Sequence, residues 1–324
     1  MVADGKYRPQ LMSPKSLDIP EMEAKSTAGL PPEAPPGEFI PAKISIIICT
    51  HGRCQDLGNT LESLRNVRVP GGWLAELLVI ENGSKDATES VVQSFALDWL
   101  NVRYLYEPKK GKSRALNRSL AEARGDLLVF IDDDIRFPRE WLVEMCQPIL
   151  SGRCSAVAGG IVLPDHLLRP WMVRYHRPWL GSTEYLSAED PSEMAGGNMA
   201  IHRRVLEKVG GYDENLGGGG LGNCEDTLFG RQVRQAGFKI MASFHASVEH
   251  HFSPAKLRYD NWVRAAIAAG RSRAYLIHHY YHQRIAMPRL RAFYFKLKLR
   301  LRKLACRSLP DGGEGIAPLG IKLP

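Results

Sequence analysis

A chain of 324 residues with 44% hydrophobic and 24% charged residues fits a folded globular protein and excludes a disordered or collagen-like one. The longest apolar runs, such as LLVFI at 127–131, fall well short of the ~20 residues that a membrane-spanning helix needs. Net charge is +8, with Lys and Arg crowded beyond Tyr280, so an anionic partner is expected, whether lipid headgroup, nucleic acid or phosphorylated substrate.

In chain order, residues 1–40 contain Pro20, Pro31, Pro32, Pro35 and Pro36 with few large apolar side chains, and they are expected to form a disordered tail. The start MVADGKYRPQ has no apolar signal region, which makes the cytoplasm the expected compartment. The six cysteines form no C-x-x-C pair and read as reduced thiols. KISIIICT carries a near-continuous β-branched run, the mark of a strand buried on both faces of a parallel sheet. Leu57, Leu61 and Leu64 then recur at helical spacing, LLVIEN at 77–82 predicts a second strand, and Ser84 with Asp86 predicts a helix start. A strand near Val102–Tyr106, a helix over Lys112–Ala123 and the strand LLVFID follow. This alternation predicts an α/β fold with a doubly wound, mostly parallel sheet, whose ligands sit at the carboxyl ends of the strands. Past Asp134 come a helix at about 140–150, a strand near Ala156–Val162, a polar stretch to Met194, and two glycine-rich loops, AGGN and GGGGLG, each expected to lead into a helix. The expected division is a catalytic domain over 41–253, a basic helical extension over 254–306 and a flexible tail over 307–324.

Two patterns carry chemistry. Asp132, Asp133 and Asp134 directly follow a buried strand, where three adjacent carboxylates repel one another unless a divalent cation offsets the cost; Mg²⁺ or Mn²⁺ suits oxygen ligands that leave positions open for a diphosphate. An acidic helix cap is the plainer alternative. Glu225 and Asp226 open an amphipathic helix behind the second glycine loop. Capping accounts for them in isolation, while beside a metal–diphosphate site one could take a proton from an attacking hydroxyl.

The ordered blocks SIIICTHGR, LLVIENGSKDAT, GKSRALNRSLAEARGDLLVFIDDD, AGGNMAIHR and NCEDTLFGRQVRQAGF, from Ile44 to about His251, resemble the family 2 glycosyltransferases, which have the A-type (GT-A) glycosyltransferase fold. The resemblance implies an inverting transferase that moves a sugar from a nucleotide-diphosphate sugar, normally a UDP-sugar, to a saccharide or lipid-linked acceptor in polysaccharide or glycolipid synthesis. It implies nucleobase and ribose contacts at Thr50, His51, Arg53, Glu81 and Asn82, with Glu81 a departure from the family's usual aspartate. Lys112 and Arg114 match the diphosphate block, Asp132 and Asp134 the ends of the D-x-D metal motif with Asp133 between them at the donor, and Gly197 and Asn198 the loop near the transferred sugar. Asp226 matches the catalytic base, Glu225 its neighbour, and His250 or His251 a further metal or diphosphate contact.

The basic stretch Arg289–Arg307 invites contact with an anionic membrane, which would make the protein peripheral on the inner face; a packed helix with a solvated basic face is the alternative. Trp171, Tyr175 and Trp179 could stack a sugar ring or pack in a core. A nucleic-acid partner is not expected, because zinc-finger, RNP-like and helix-turn-helix patterns are missing. A metal-dependent nucleotidyltransferase or phosphohydrolase remains the rival reading of the acidic triad.

Overall fold

The computed structural model describes residues 40–189, 191, 193–284, 287–305 and 314. The tails expected over 1–40 and 307–324, apart from Ile40 and Glu314, and Cys306 lie outside the described residues. The strands are β1 (Ala42–Thr50), β2 (Trp73–Asn82), β3 (Leu100–Glu107), β4 (Leu127–Ile131), β5 (Ile135–Arg136), β6 (Ala156–Val162), β7 (Asn198–His202) and β8 (Ile240–His250). The helices are α1 (Cys54–Ser63), α2 (Thr88–Ser94), α3 (Lys112–Glu122), α4 (Trp141–Leu150), α5 (Leu206–Val209), α6 (Glu225–Gln235), α7 (Tyr259–His279) and α8 (Pro288–Ala305).

The strands form one eight-stranded sheet in the order β3-β2-β1-β4-β7-β6-β8-β5. β1 runs parallel to β2 and β4, and β2 parallel to β3, giving the expected parallel α/β half. β7 is antiparallel to both β4 and β6, β8 is parallel to β6, and β5 is antiparallel to β8. The β-branched run of β1 is buried on both faces. Ile44, Ile46 and Ile48 pack into one core with Leu57 and Leu61 of α1, Val92 of α2 and Trp141 of α4, whereas Ile47 points into the other with Leu116 of α3 and Phe229 of α6. Each such isoleucine contributes about 2 kcal/mol on burial.

The structure corrects one expected element. AGGN leads into β7 and not into a helix, because Met199, Ala200 and Ile201 are buried and Asn198–His202 pairs along the whole of β4. Pairing with a distant strand overrides the local pattern. Among the described residues no helix is long and apolar enough to cross a membrane, and the five described cysteines are unpaired.

Candidate active site

The carboxyl ends of β1, β2 and β4 lie side by side, with Thr50 opposite Glu81 and Ile48 opposite Ile131. Side chains stitch the loops beyond them together. Ser84 Oγ accepts from Gly52 N at 2.8 Å and donates to Glu81 Oε1 at 3.1 Å, while Asp86 Oδ2 accepts from Cys54 N at 3.0 Å, the first residue of α1. Glu81 also accepts from Tyr104 Oη at 2.5 Å, so both of its oxygens are engaged inside the edge. Asn82 fixes the start of α3: its Oδ1 accepts from Gly111 N at 2.8 Å and its Nδ2 donates to Lys109 O at 2.8 Å. His51 Nδ1 donates to Asn82 O at 2.5 Å, since a carbonyl can only accept.

The three aspartates separate into different roles. Asp133 is fully buried, its Oδ2 accepts from Thr50 Oγ1 at 2.6 Å, and its Oδ1 lies 2.5 Å from Arg53 Nη2. Burial pushes its carboxyl up to about 7, against the pull of Arg53. It braces the loop and is not presented to a ligand, and the Thr50 hydroxyl is likewise spent on it. Asp134 Oδ2 takes the other arm of Arg53 at 2.7 Å and faces Lys256 Nζ at 3.6 Å; its Oδ1 faces His250 Nε2 at 3.1 Å. Burial opposes its ionisation, yet His250, Lys256 and Arg53 hold its pKa well below the usual range. Asp132 is the most exposed of the three, with Lys112 Nζ 3.0 Å from its Oδ1.

Lys112 joins Asp132 to the opposite wall, where Glu225 Oε1 lies 3.4 Å from the same ammonium. Burial works against that charge, but Asp132, Glu225 and Asp226 keep the Lys112 pKa well above its ordinary value. Asp132 is held low despite burial, chiefly by Lys112, whereas burial pushes Glu225 up against the pull of Lys112, with the neighbouring Asp226 adding to the rise. Asp226 is half-buried and oriented by two backbone donors, Gly196 N to Oδ2 at 2.9 Å and Thr227 N to Oδ1 at 2.7 Å. The chain reaches this geometry through Cys224, which sits in the left-handed region at φ 71°, at a cost of about 1–2 kcal/mol, immediately before α6 begins. Gly197 closes the gap: a Cβ there would lie 2.8 Å from Asp132 Oδ2 and 3.2 Å from Ile161 Cδ1.

Of the residues singled out in the sequence, Arg53, Lys112, Asp132, Asp134, Gly197, Glu225, Asp226 and His250 converge. Arg114 stands at the rim on Glu214, its Nη1 2.6 Å from Oε2. Asn198 departs from expectation. Its side chain is fully buried away from the cleft, donating to Gly160 O at 2.9 Å and accepting from Trp141 Nε1 at 3.0 Å. His251 also points elsewhere, toward Glu249 at 2.9 Å and the ring of His166 at 5.4 Å. Three contributors went unread. Gly196 supplies the N–H that aims Asp226. Lys256 reaches Asp134 from the turn after β8, with only its position in HHFSPAK as a signal. Gly181, at φ 88°, lets its loop press onto His250, whose Nδ1 a Cβ would meet at 2.8 Å.

The donor set fits a divalent cation. His250 Nδ1 donates to Leu180 O at 2.6 Å, the second interaction that orients a ligating imidazole and leaves Nε2 to bind. Asp134 Oδ1 stands 3.1 Å from that Nε2, close to the spacing of adjacent donors on a six-coordinate ion with bonds of about 2.1 Å. Among the described residues no group of three His, Cys, Asp or Glu side chains is gathered to hold a metal unaided. The arrangement therefore suits an ion completed by ligand oxygens, with Asp132 beside it. On the far side of His250 a cavity of about 730 Å³ opens between Trp179–Gly181, Asn223 and α7, with Lys256 in its wall.

The chain is 24% identical over 267 residues to the probable glycosyltransferase YdaM of Bacillus subtilis, covering 78% of this chain and 61% of the relative. It is 25% identical over 223 residues to the succinoglycan biosynthesis protein ExoA of Rhizobium meliloti, covering 67% and 64%. The chain thus spans somewhat under two thirds of the length of these relatives. Among solved structures, its fold is similar to that of the mannosyltransferase PcManGT from Pyrobaculum calidifontis in complex with GDP-Man and Mn²⁺, with a TM-score of 0.52, 17% identity and coverage of 80% and 81%. GalNAc-T7 with UDP, GalNAc and Mn²⁺ has a TM-score of 0.50 at 21% identity, covering 71% and 48%. These likenesses confirm the expected GT-A fold. The family model described as Glycosyl transferase family 2 matches residues 45–210, just over half of the chain, and the chain belongs to that family.

Proposed function

We propose that the protein transfers a sugar from a nucleotide-diphosphate sugar, with a UDP-sugar the expected donor, to an acceptor hydroxyl with inversion at the anomeric carbon. The observation that carries this reading is the placing of the Asp226 carboxylate, held by Gly196 N and Thr227 N, one residue along the chain from the Gly197–Asp132 contact. A base and a diphosphate cradle at that proximity suit an in-line displacement. Asp226 accepts the proton of the attacking hydroxyl as its oxygen bonds to the anomeric carbon. The bond from that carbon to the diphosphate oxygen breaks, and the diphosphate leaves with the electron pair. Lys112 offers its ammonium to the leaving group, and Glu225 keeps Lys112 in place. Asp134 and His250, with Asp132 beside them, would hold Mg²⁺ or Mn²⁺, and the bound ion would supply further charge to stabilise the diphosphate.

We place the acceptor in the cavity beside His250 and Lys256, where Trp179 offers an exposed aromatic face to a saccharide or lipid-linked acceptor. The five described thiols, all unpaired, support a reducing compartment, and the cytoplasmic side is the proposed location. Incubation with Mn²⁺, a panel of nucleotide sugars and saccharide or lipid-linked acceptors, read by chromatography, is expected to yield a nucleoside diphosphate and a glycosylated acceptor. Release of a nucleoside monophosphate or pyrophosphate would favour the nucleotidyltransferase or phosphohydrolase reading instead.

A further inference from the structure

Residues 261–310 contain twelve Lys and Arg and no Asp or Glu, which leaves the rest of the chain at a net charge of −4. Within that stretch α8 is 18 residues long, about 27 Å. Leu290, Phe293 and Leu297 fall at i, i+3 and i+7 on one helical face, and they are 57%, 64% and 45% exposed. Tyr294, next on that face, is 57% exposed. Leu301 and Leu304 continue the spacing in the sequence. Arg289, Arg291, Lys296 and Arg300 are exposed around the stripe.

We propose that α8 binds in the plane of an anionic membrane surface, with Leu290, Phe293 and Leu297 entering the headgroup–acyl boundary and the surrounding Arg and Lys residues against lipid phosphates. Such a surface satisfies both halves of the pattern at once. A second copy of the chain would cover the stripe but oppose one cationic helix to another. A nucleic acid would take the cations and leave the stripe in water. The helix is far too charged to span a bilayer, which leaves the interface plane. The inference stands apart from the transfer chemistry, because vesicle binding and nucleotide binding are read separately.

The test is co-sedimentation of the whole chain with vesicles of phosphatidylglycerol and phosphatidylcholine, or of phosphatidylcholine alone, beside sedimentation velocity of the free protein. Anionic vesicles are expected to take up the chain about tenfold better than neutral ones in 0.1 M salt, with the advantage falling in 0.5 M salt. The double substitution Phe293→Ser with Leu297→Ser, which keeps the charge, is expected to weaken uptake about tenfold. Replacement of Arg289, Arg291 and Lys296 by Gln should abolish the preference for anionic lipid. Both variants change exposed positions and should bind nucleotide as the wild type does. Equal uptake by neutral and anionic vesicles, or uptake unmoved by both variants, would overturn the proposal. So would a dimer that Phe293→Ser with Leu297→Ser converts to monomer, or retention on RNA in place of vesicles.

Discussion

The two edges of the parallel half-sheet use charged side chains to opposite ends. At the amino edge Glu76 is buried, and its Oε1 accepts from Ser45 Oγ at 2.6 Å and from Arg124 N at 2.6 Å. Its Oε2 accepts from Arg103 Nη1 at 2.9 Å, and Arg103 Nη2 goes on to Glu122 at 3.1 Å. Every oxygen is satisfied within the protein. At the carboxyl edge Asp132, Asp134, Glu225 and Asp226 share Lys112, His250 and Lys256 with space into which a ligand can enter. A closed network stabilises the fold, and an open one keeps charge available for substrate.

Substitutions at the two edges should therefore separate activity from stability. The largest effect is expected for Asp226→Asn, a loss of about 10³-fold in transfer with nucleotide affinity nearly unchanged, measured by product formation and calorimetry. Next is Glu76→Gln, expected to destabilise the fold by about 3 kcal/mol in denaturant titration and to leave nucleotide affinity intact, since it removes the buried charge that Ser45, Arg124 and Arg103 together stabilise. Burial opposes the Glu76 charge, but Ser45, Arg124 and Arg103 outweigh burial and hold its pKa below the ordinary 4.5. Its contribution is therefore present above about pH 4.5 and is lost as pH falls through the lowered value. The stability difference between wild type and Glu76→Gln should narrow on acidification over that window. His250→Ala should cost about 100-fold in metal-dependent nucleotide affinity, and His251→Ala should cost almost nothing; equal losses would refute the assignment of the ligand to His250. A loss of about tenfold in transfer is expected for Gly197→Ala, whose methyl group would push on the Asp132 carboxylate.

Legibility in the sequence followed the range of the contacts. The isoleucine run of β1, the LLVFI strand before the aspartates and the GKSRALN helix start are local patterns, and the structure has them at the expected places. β7 was misread as a helix because its identity depends on β4, some seventy residues earlier. The place of Asn198 in AGGN points to the donor, but only the packing of β6 shows that Gly159 makes room for its amide and that Gly160 O accepts from it. Asp133 illustrates a different limit. Three adjacent aspartates look equivalent in sequence, and the turn that follows β4 sets the middle one against Thr50 and Arg53. His250 ends β8 with its ring between Leu180 O and Asp134, whereas His251 lies just past the strand and turns to Glu249 and His166.

In the proposed function Asp134 and His250 help to hold a metal–diphosphate donor site. The most direct measurement is calorimetric titration of the wild type and of Asp134→Ala with nucleoside diphosphates and nucleotide sugars, with Mn²⁺ and with chelator. The wild type is expected to bind one nucleotide class with Mn²⁺, and binding is expected to fall at least about tenfold with chelator or in a folded Asp134→Ala protein. Nucleotide binding of equal strength with and without metal and in Asp134→Ala would contradict that role.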